Sequence, residues 1–355
     1  MHVKLFIPGP VETMPQVLAK MASPMIGHRS KACAELQKRI SEKLQQVFHT
    51  KNVIVLSTSS GSGLMESAIR CCTAKKAAVF SVGSFGERWH KMAVANGKEA
   101  DIFRVPLGQA TQAADVDAAL STGDYDLVTI THNETSTGVM NPIAEIAAVI
   151  KKYPDIVFCA DTVSSMGGVY IPVDELGIDI CITSSQKCLG LPPGLSIASV
   201  SEKVYQRART VKNRGLYFDL VSLYEKARDK YQYPSTPSIS HYFALDYQLE
   251  QILAEGLANR YARHLEMAEF TREWARRYFA VFPDERYLSQ TLTTVTNTRG
   301  ASIAELNTEL GKRGLAISNG YGELKEKTFR IAHMADCRLD EVKEVTAAIT
   351  DILGL

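Results

Sequence analysis

Asp179-Ile-Cys-Ile-Thr-Ser-Ser-Gln-Lys187, followed by Cys-Leu-Gly-Leu-Pro-Pro-Gly194, predicts a short buried strand that ends in a polar loop and a Gly/Pro-rich turn. A second apolar run, residues 195–200, begins directly after this turn. Lys187 stands at the end of the first strand, among small hydroxyl and apolar residues. A desolvated lysine has a lowered pKa and can attack carbonyl carbon. The alternative is an ordinary lysine that reaches solvent from a strand end, and this stretch alone leaves both interpretations open.

Length, charge and cysteine content are typical of a globular protein. The 355 residues suffice for two domains, or for one large domain with an appendage. The net charge of +1 favours neither nucleic acid nor an anionic membrane surface. We expect no membrane span, because no apolar run approaches about 20 residues, and no secretory signal at the N-terminus. The seven cysteines include no Cys-x-x-Cys pair, so we expect a cytoplasmic location and no metal site.

Strands and helices alternate along the first 200 residues. Apolar runs predict strands at residues 52–57, 77–82, 126–131 and 156–160, and helices are predicted at residues 31–49 and 142–152. Near-continuous apolar strands are typical of a mainly parallel sheet covered by helices on both faces. Residues 101–106 are predicted to form an edge strand.

The ends of these strands carry the polar residues. In open α/β sheets, ligands bind outside the carboxyl ends of the strands. Thr58-Ser-Ser-Gly-Ser-Gly63 links a strand to a helix and predicts an anion site, the alternative being an N-cap with a tight turn. Phe85, between Gly83 and Gly86, is placed to present its ring to a flat ligand or to anchor the loop. The other strand ends hold Asn133-Glu-Thr135, Asp161 and Lys187.

The second half of the chain predicts a smaller unit. Residues 203–232 are predicted to be helical, and a long helix over roughly 240–280 links two domains. Strands at 291–296 and 328–332, with helices at 302–313 and 338–353, predict an α+β domain. We predict an N-terminal arm that joins the small domain (1–15), a large domain (16–250) and a small domain (251–355). Arg330, in the middle of its strand, requires a carboxylate, either in a ligand or in an internal salt bridge.

An anion cradle, an aromatic plate, an aspartate and a lysine together match the needs of pyridoxal 5′-phosphate. The phosphate needs a helix N-terminus, and the ring needs a flat partner. The pyridine nitrogen needs a carboxylate that keeps it protonated, and the aldehyde needs a lysine for a Schiff base. Asp161 and Lys187, on successive strands, suit the last two roles.

The sequence resembles the class V aminotransferases of fold-type I, in particular the alanine–glyoxylate, serine–pyruvate and serine–glyoxylate group. The similar segments follow the family's order along essentially the whole chain: Pro8-Gly-Pro10, Ile26-Gly-His28, Ser60-Gly-Ser-Gly63 with Glu66, Phe85-Gly-Glu-Arg88, Thr131-His-Asn-Glu-Thr-Ser-Thr-Gly138, Ala160-Asp-Thr-Val-Ser-Ser165, Ser184-Ser-Gln-Lys-Cys188 with Pro192-Pro-Gly194, and Phe329-Arg-Ile331. The resemblance implies a large domain with a mainly parallel seven-stranded sheet between helices and a smaller C-terminal α+β domain.

The resemblance also implies roles for individual residues. Lys187 would form the Schiff base and transfer the proton, and Asp161 would pair with the pyridine nitrogen. Arg330 and Gly27 would bind the substrate. A homodimer with active sites at the interface is implied, in which Ser235 or Thr236 of one subunit, with Tyr231 or Tyr233, reaches the other subunit's phosphate. The remaining cofactor contacts would come from Ser60, Gly61, Ser62 and Gln186 at the phosphate, Thr135 at the ring hydroxyl, and Phe85 and Val163 on opposite ring faces.

The implied function is transamination from a small 2-amino acid, alanine or serine, to glyoxylate or pyruvate. Phosphoserine or aspartate as donor is an alternative that needs further basic residues, for which His28, Arg29 and His333 are candidates. A cysteine desulfurase is another, although Gln186 stands where such enzymes have a histidine, and Cys337 is its candidate thiol. A third is a non-catalytic nucleotide-binding protein, which would leave Lys187 without a role.

Overall fold

Two sheets, each packed against helices, organise the chain in a computed structural model that describes residues 2–355. Met1, the first residue of the predicted arm, lies outside the described residues. The strands in this part of the chain are β1 (Lys4–Phe6), β2 (Val53–Ser57), β3 (Lys76–Ser81), β4 (Glu99–Arg104), β5 (Leu127–Thr131), β6 (Asn133–Glu134), β7 (Val139–Met140), β8 (Val157–Asp161), β9 (Ile180–Ser184), β10 (Ser196–Val200), β11 (Ala280–Val281), β12 (Leu292–Thr296), β13 (Leu315–Asn319) and β14 (Thr328–Ala332).

Helices follow most of these strands. The α-helices of the described residues are α1 (Pro15–Met21), α2 (Lys31–Val47), α3 (Gly61–Cys72), α4 (Ser84–Ala95), α5 (Ala113–Leu120), α6 (Ile143–Ile150), α7 (Val173–Leu176), α8 (Glu202–Thr210), α9 (Leu220–Lys230), α10 (Ile239–Glu255), α11 (Leu257–Tyr278), α12 (Ile303–Lys312) and α13 (Leu339–Leu353). Within residues 2–355, no helix combines the length and the apolar character that crossing a bilayer requires.

The larger sheet confirms the predicted fold class. Its seven described strands lie in the order β2-β10-β9-β8-β5-β3-β4. The pairs from β9 to β4 are parallel, whereas β10 is antiparallel to both β9 and β2. Separate apolar clusters cover the two faces, which explains why β5, β8 and β9 are buried along their whole length. β4 lies at the edge, as predicted.

The smaller sheet joins the two ends of the chain. Its strand order is β1-β13-β14-β12-β11, and β1 pairs in parallel with β13. An apolar cluster that includes Trp274, Phe329 and Ile349 packs this sheet against α11, α12 and α13. The three domain ranges stay a prediction, and the boundary drawn at residue 250 falls inside α10.

The long predicted helix is interrupted, so the prediction of its continuity was wrong, and the region before it that was predicted to be helical contains two helices. The long helix over 240–280 is divided into α10 and α11 at Gly256, whose φ of 82° and ψ of 129° lie in a region that side chains exclude. Residues 203–232 form α8 and α9 with a non-helical segment between them. In that segment Asn213 and Gly215 adopt φ values of 58° and 77°. α8 ends where Val211 adopts an extended conformation, and the two left-handed residues after it prevent the segment from continuing as a right-handed helix.

Candidate active site

The carboxyl ends of the parallel strands meet at one cavity. It lies where β5, β8 and β9 end and where α3 and α4 begin. Nine of the residues predicted to bind the cofactor line it, together with five that the sequence analysis assigned no role. The lining residues are Ser60, Gly61, Ser62, Met65, Phe85, Arg88, Asn133, Thr135, Asp161, Val163, Ser164, Ser184, Gln186 and Lys187.

Lys187 is withdrawn from solvent at the floor of this cavity. Burial lowers the pKa of its amine to about 8; the Asp161 carboxylate opposes this effect, and the guanidinium of Arg330 adds to it. The amine contacts the carbonyl oxygen of Pro8, in the segment that follows β1. A side chain at Gly9, whose φ is 110°, would overlap Lys187. The structure therefore excludes the interpretation of Lys187 as a lysine extended to solvent.

Asp161 occupies the last position of β8 and faces the same cavity. Burial raises the pKa of its carboxyl group to about 6, the amide of Val163 counteracts this effect by donating a hydrogen bond of 2.9 Å, and the Glu134 carboxylate adds to it. Above pH 6 the group is an anion in a site with little water. It can accept a hydrogen bond from a protonated ring nitrogen.

The N-terminus of α3 lies at the cavity, where the anion cradle is predicted. The first-turn amides of a helix have no partner within the helix, and the side chain of the N-cap, Ser60, makes no capping hydrogen bond. A Cβ atom on Gly61 would lie 2.8 Å from Val163 Cγ2, so a glycine is needed where the helix approaches this wall. Ser62 Oγ accepts a hydrogen bond of 3.0 Å from Arg88, which adds a positive charge beside the cradle.

Three buried polar atoms around the cavity lack a hydrogen-bond partner among residues 2–355: Ser184 Oγ, Gln186 Oε1 and Asn133 Oδ1. Buried polar groups are normally paired, so such a cluster indicates a missing polar ligand. Together with the helix N-terminus, the desolvated amine and the carboxylate, these atoms fit a phosphorylated heteroaromatic aldehyde.

The first turn of α4, which carries Phe85, is held by a buried carboxylate. Glu134 accepts hydrogen bonds from the amides of Phe85 (2.9 Å) and Gly86 (3.1 Å), and two more from the amide and the hydroxyl group of Ser136. The guanidinium of Arg88 lies 4.6 Å from the Phe85 ring centroid. The roles of Arg88 and Glu134 escaped the sequence analysis. The sequence did contain one signal for the contact between Arg88 and Phe85, because side chains three residues apart lie on the same face of a helix.

Arg330 lies just beyond the cavity, on β14. Its guanidinium donates to the carbonyl of Thr135 (3.0 Å) and twice to that of Asn319 (3.0 and 3.2 Å). Burial lowers the pKa of Arg330 to about 10. No ion pair within the described residues includes Arg330. The internal salt bridge considered above is thus not formed, and a buried cation lies next to the cavity without a carboxylate.

The structure does not bring Gly27, Ser235 or Thr236 to the cavity of the same chain. All three are exposed. Arg29 donates hydrogen bonds to the carbonyls of Tyr233 (2.6 Å) and Pro234 (2.7 Å), and thereby fixes the segment that carries Ser235 and Thr236.

The residues named for the alternative functions also lie elsewhere. His333 is buried beside Thr293, and burial lowers its pKa to about 3. His28 does not line the cavity. Burial raises the pKa of the Cys337 thiol to about 12, and this thiol belongs to a different pocket, beside β1. A desulfurase requires a thiolate near the cofactor, which Cys337 does not supply.

This fold and this site define a fold-type I enzyme that uses pyridoxal phosphate. The sequence profile of the family described as aminotransferase class-V matches residues 11–334, and the chain belongs to this family of pyridoxal-phosphate-dependent aminotransferases. An uncharacterized aminotransferase of Methanocaldococcus jannaschii is 38% identical over 97% of this chain and 91% of its own length. An L-aspartate–glyoxylate aminotransferase of Paracoccus denitrificans is 30% identical over 93% and 86%.

The solved structures agree with this assignment. The crystal structure of an alanine–glyoxylate aminotransferase from Nostoc sp. superposes with a TM-score of 0.94 and 28% identity, covering 99% of this chain and 96% of the other. The predicted enzyme class, cofactor and fold are thereby confirmed, and a non-catalytic nucleotide-binding protein is excluded.

Proposed function

We propose that this aminotransferase moves the amino group of a small 2-amino acid, alanine or serine, to glyoxylate or pyruvate. The observation that carries the proposal is Arg330, a buried guanidinium that donates to two carbonyl groups and forms no ion pair within the described residues. A 2-amino acid supplies that carboxylate, and its amino group can then lie toward Lys187. The Nostoc structure that superposes on the chain is an alanine–glyoxylate aminotransferase, which supports the same donor and acceptor.

In this proposal Lys187 attaches the cofactor and transfers the proton at the substrate's Cα. Its amine suits both tasks because burial brings its pKa to about 8, near the working pH. Asp161 pairs with the ring nitrogen, and the bound cofactor supplies an electron sink that makes the Cα–H bond labile. Phe85 and Val163 bracket the ring, and Thr135 bonds its hydroxyl. The phosphate contacts come from Ser60, Gly61, Ser62 and Gln186.

We also propose a homodimer in the cytoplasm. Ser235 and Thr236 are exposed and do not line the cavity of their own chain, and Arg29 fixes their segment. Hydroxyl groups held on an outer surface suit a contact with the other subunit's phosphate. The seven free cysteines, six of them buried, suit a reducing compartment.

Aspartate is a second candidate donor, on one observation. Arg88 lines the cavity and is the further basic residue that a second carboxylate needs. The Paracoccus relative, an L-aspartate–glyoxylate aminotransferase, supports this candidate. Against it, the Arg88 guanidinium already donates to Ser62 and stacks on Phe85.

Alanine, serine and aspartate, each offered with glyoxylate, test the proposal. With alanine, the amino group passes to glyoxylate, which yields glycine and pyruvate, and the pyruvate is measured with lactate dehydrogenase and NADH. We expect alanine or serine to give the highest kcat/KM, and Lys187→Ala to abolish turnover. A Lys187→Ala enzyme with normal rates would contradict the role of Lys187, and preference for aspartate would favour the second candidate.

A further inference from the structure

Tyr321 lies close to both Arg330 and Phe85, which belong to the proposed substrate and cofactor sites. Its ring centroid lies 5.6 Å from the guanidinium of Arg330 and 5.9 Å from the ring centroid of Phe85. We propose that Tyr321 is the residue that limits the size of the amino donor's side chain. This inference rests on the proposed function and adds the position that selects the substrate.

The loop that carries Tyr321 is coupled to Arg330 through Asn319. The backbone carbonyl of Asn319 accepts two hydrogen bonds from Arg330. Its side-chain oxygen accepts from the amides of Gly320 (2.7 Å) and Glu326 (2.8 Å), at either end of the loop. The carboxylate clamp and the aromatic ring are therefore fixed relative to each other, although Tyr321 itself is 41% exposed.

A wider cleft lies on the other side of Tyr321. It has a volume of about 520 Å³ and includes Tyr321 in its wall. Ser84 and Ser136, which also line the cleft, are the sequence neighbours of Phe85 and Thr135 in the cofactor cavity. Tyr321 thus belongs to the wall of the cleft and also lies next to Phe85, which lines the cofactor cavity. The cleft wall has both charged and apolar residues, and the apolar ones are Val105, Pro106, Leu107 and Leu324.

The geometry of a bound donor explains how the position of Tyr321 selects among donor side chains. A donor that places its carboxylate at Arg330 and its amino group toward Lys187 has only its side chain left to direct. The ring of Tyr321 covers the space beside Arg330, so a methyl or hydroxymethyl group fits, whereas a longer aliphatic chain meets the ring. In this proposal, removal of the ring opens the site toward the cleft, whose residues Val105, Leu107 and Leu324 suit the side chain of leucine or methionine.

Two variants, Tyr321→Ala and Tyr321→Phe, test the inference. Each is assayed with alanine and with leucine as the donor and glyoxylate as the acceptor. We expect Tyr321→Ala to shift the ratio of the two kcat/KM values toward leucine by about tenfold or more, the scale on which apolar pockets discriminate. Tyr321→Phe should keep the wild-type ratio because it retains the ring. Tyr170→Ala, at an exposed tyrosine that packs against His49, is the matched control and should also keep it.

A binding measurement supplements the rates. The dissociation constants of acetate and 4-methylpentanoate are obtained from changes in cofactor absorbance. In Tyr321→Ala, 4-methylpentanoate should bind more tightly relative to acetate than it does in the wild type. The ratio of the two dissociation constants in Tyr321→Leu should lie between those of Tyr321→Ala and the wild type. Tyr321→Leu also serves as the test if Tyr321→Ala does not fold. A wild-type enzyme inactive with every amino acid overturns the proposed function and the inference together. An active wild type, together with a wild-type ratio of the alanine and leucine kcat/KM values in both Tyr321→Ala and Tyr321→Leu, overturns the inference alone.

Discussion

At the residue scale, burial decides the chemistry of Lys187 and Arg330. Both side chains are cations in sites with little water, and in both the pKa falls mainly because of desolvation. The pKa of Lys187 falls to a value at which part of its amine is neutral near pH 7. For Arg330 the fall leaves the charge intact, so the guanidinium stays a cation that a substrate carboxylate can neutralise.

The pH dependence of cofactor attachment should therefore follow Lys187. Only the neutral amine is a nucleophile, and its fraction rises with pH until the pKa is passed. With a pKa of about 8, the rate at which the apoenzyme attaches pyridoxal phosphate should rise with a midpoint near pH 8 and level off above about pH 9. Stopped-flow absorbance across pH 6–10 measures this rate. A rate that still rises above pH 10 would show an ordinary, solvated lysine.

Asp161→Asn is the control for this profile. The Asp161 carboxylate raises the pKa of Lys187, in opposition to burial. Its neutralisation should therefore move the midpoint to lower pH, while the pH dependence of free pyridoxal phosphate is the same in both experiments. A midpoint that moves upward would contradict the assigned electrostatics.

Arg330→Lys should weaken the enzyme through substrate binding. A lysine carries the charge but lacks the planar fork that holds a carboxylate with two parallel hydrogen bonds. Loss of a charged hydrogen bond costs about 1.5–3 kcal/mol, which corresponds to a roughly 10–150-fold fall in kcat/KM for alanine. The cofactor absorbance should not change. Arg313→Ala, at an exposed arginine paired with Asp351 in the same half of the chain, is the matched control.

At the element scale, the sequence predicted the features that depend on residues close together along the chain. The strands of the large sheet are buried on both faces, so their runs of apolar residues are continuous, and their ends mark the site. The contacts that complete the site join distant segments: Arg330 reaches Thr135 across 195 residues, and Arg29 reaches Tyr233 across 204. No local pattern encodes such pairs, which is why the sequence did not predict their geometry.

The division between α10 and α11 is the element whose prediction failed, and it is open to a stability test. Gly256 adopts φ 82° and ψ 129°, which costs a residue with a side chain about 1–3 kcal/mol. Gly256→Ala should therefore lower the thermal unfolding temperature of the holoenzyme. Gly311, inside α12, has no atom within 4 Å of an added Cβ. Gly311→Ala should raise this temperature slightly, because alanine is the better helix former. If Gly256→Ala proved as stable as Gly311→Ala, the break would not require glycine.

At the scale of the whole molecule, the proposed homodimer would add hydroxyl groups of one subunit to the phosphate site of the other. The α3 N-terminus, Gln186 and Ser184 face the cavity, whereas Ser235 and Thr236 lie outside it on the segment that Arg29 fixes. A homodimer in which each subunit completes the other's site accounts for this arrangement. The proposal therefore concerns which subunit supplies a given residue, and mixed dimers can test it.

Complementation between two inactive variants is the decisive measurement. One subunit carries Lys187→Ala, and the other carries both Ser235→Ala and Thr236→Ala. If the hydroxyl groups act across the interface, one site of the mixed dimer holds both defects, and the other holds Lys187 with an intact pair of hydroxyl groups. Mixed dimers, purified with two affinity tags, should then regain about half of the wild-type activity per dimer and one high-affinity cofactor site. If the hydroxyl groups act within their own chain, neither site is intact, and the mixed dimers should be no more active than the Ser235→Ala/Thr236→Ala parent.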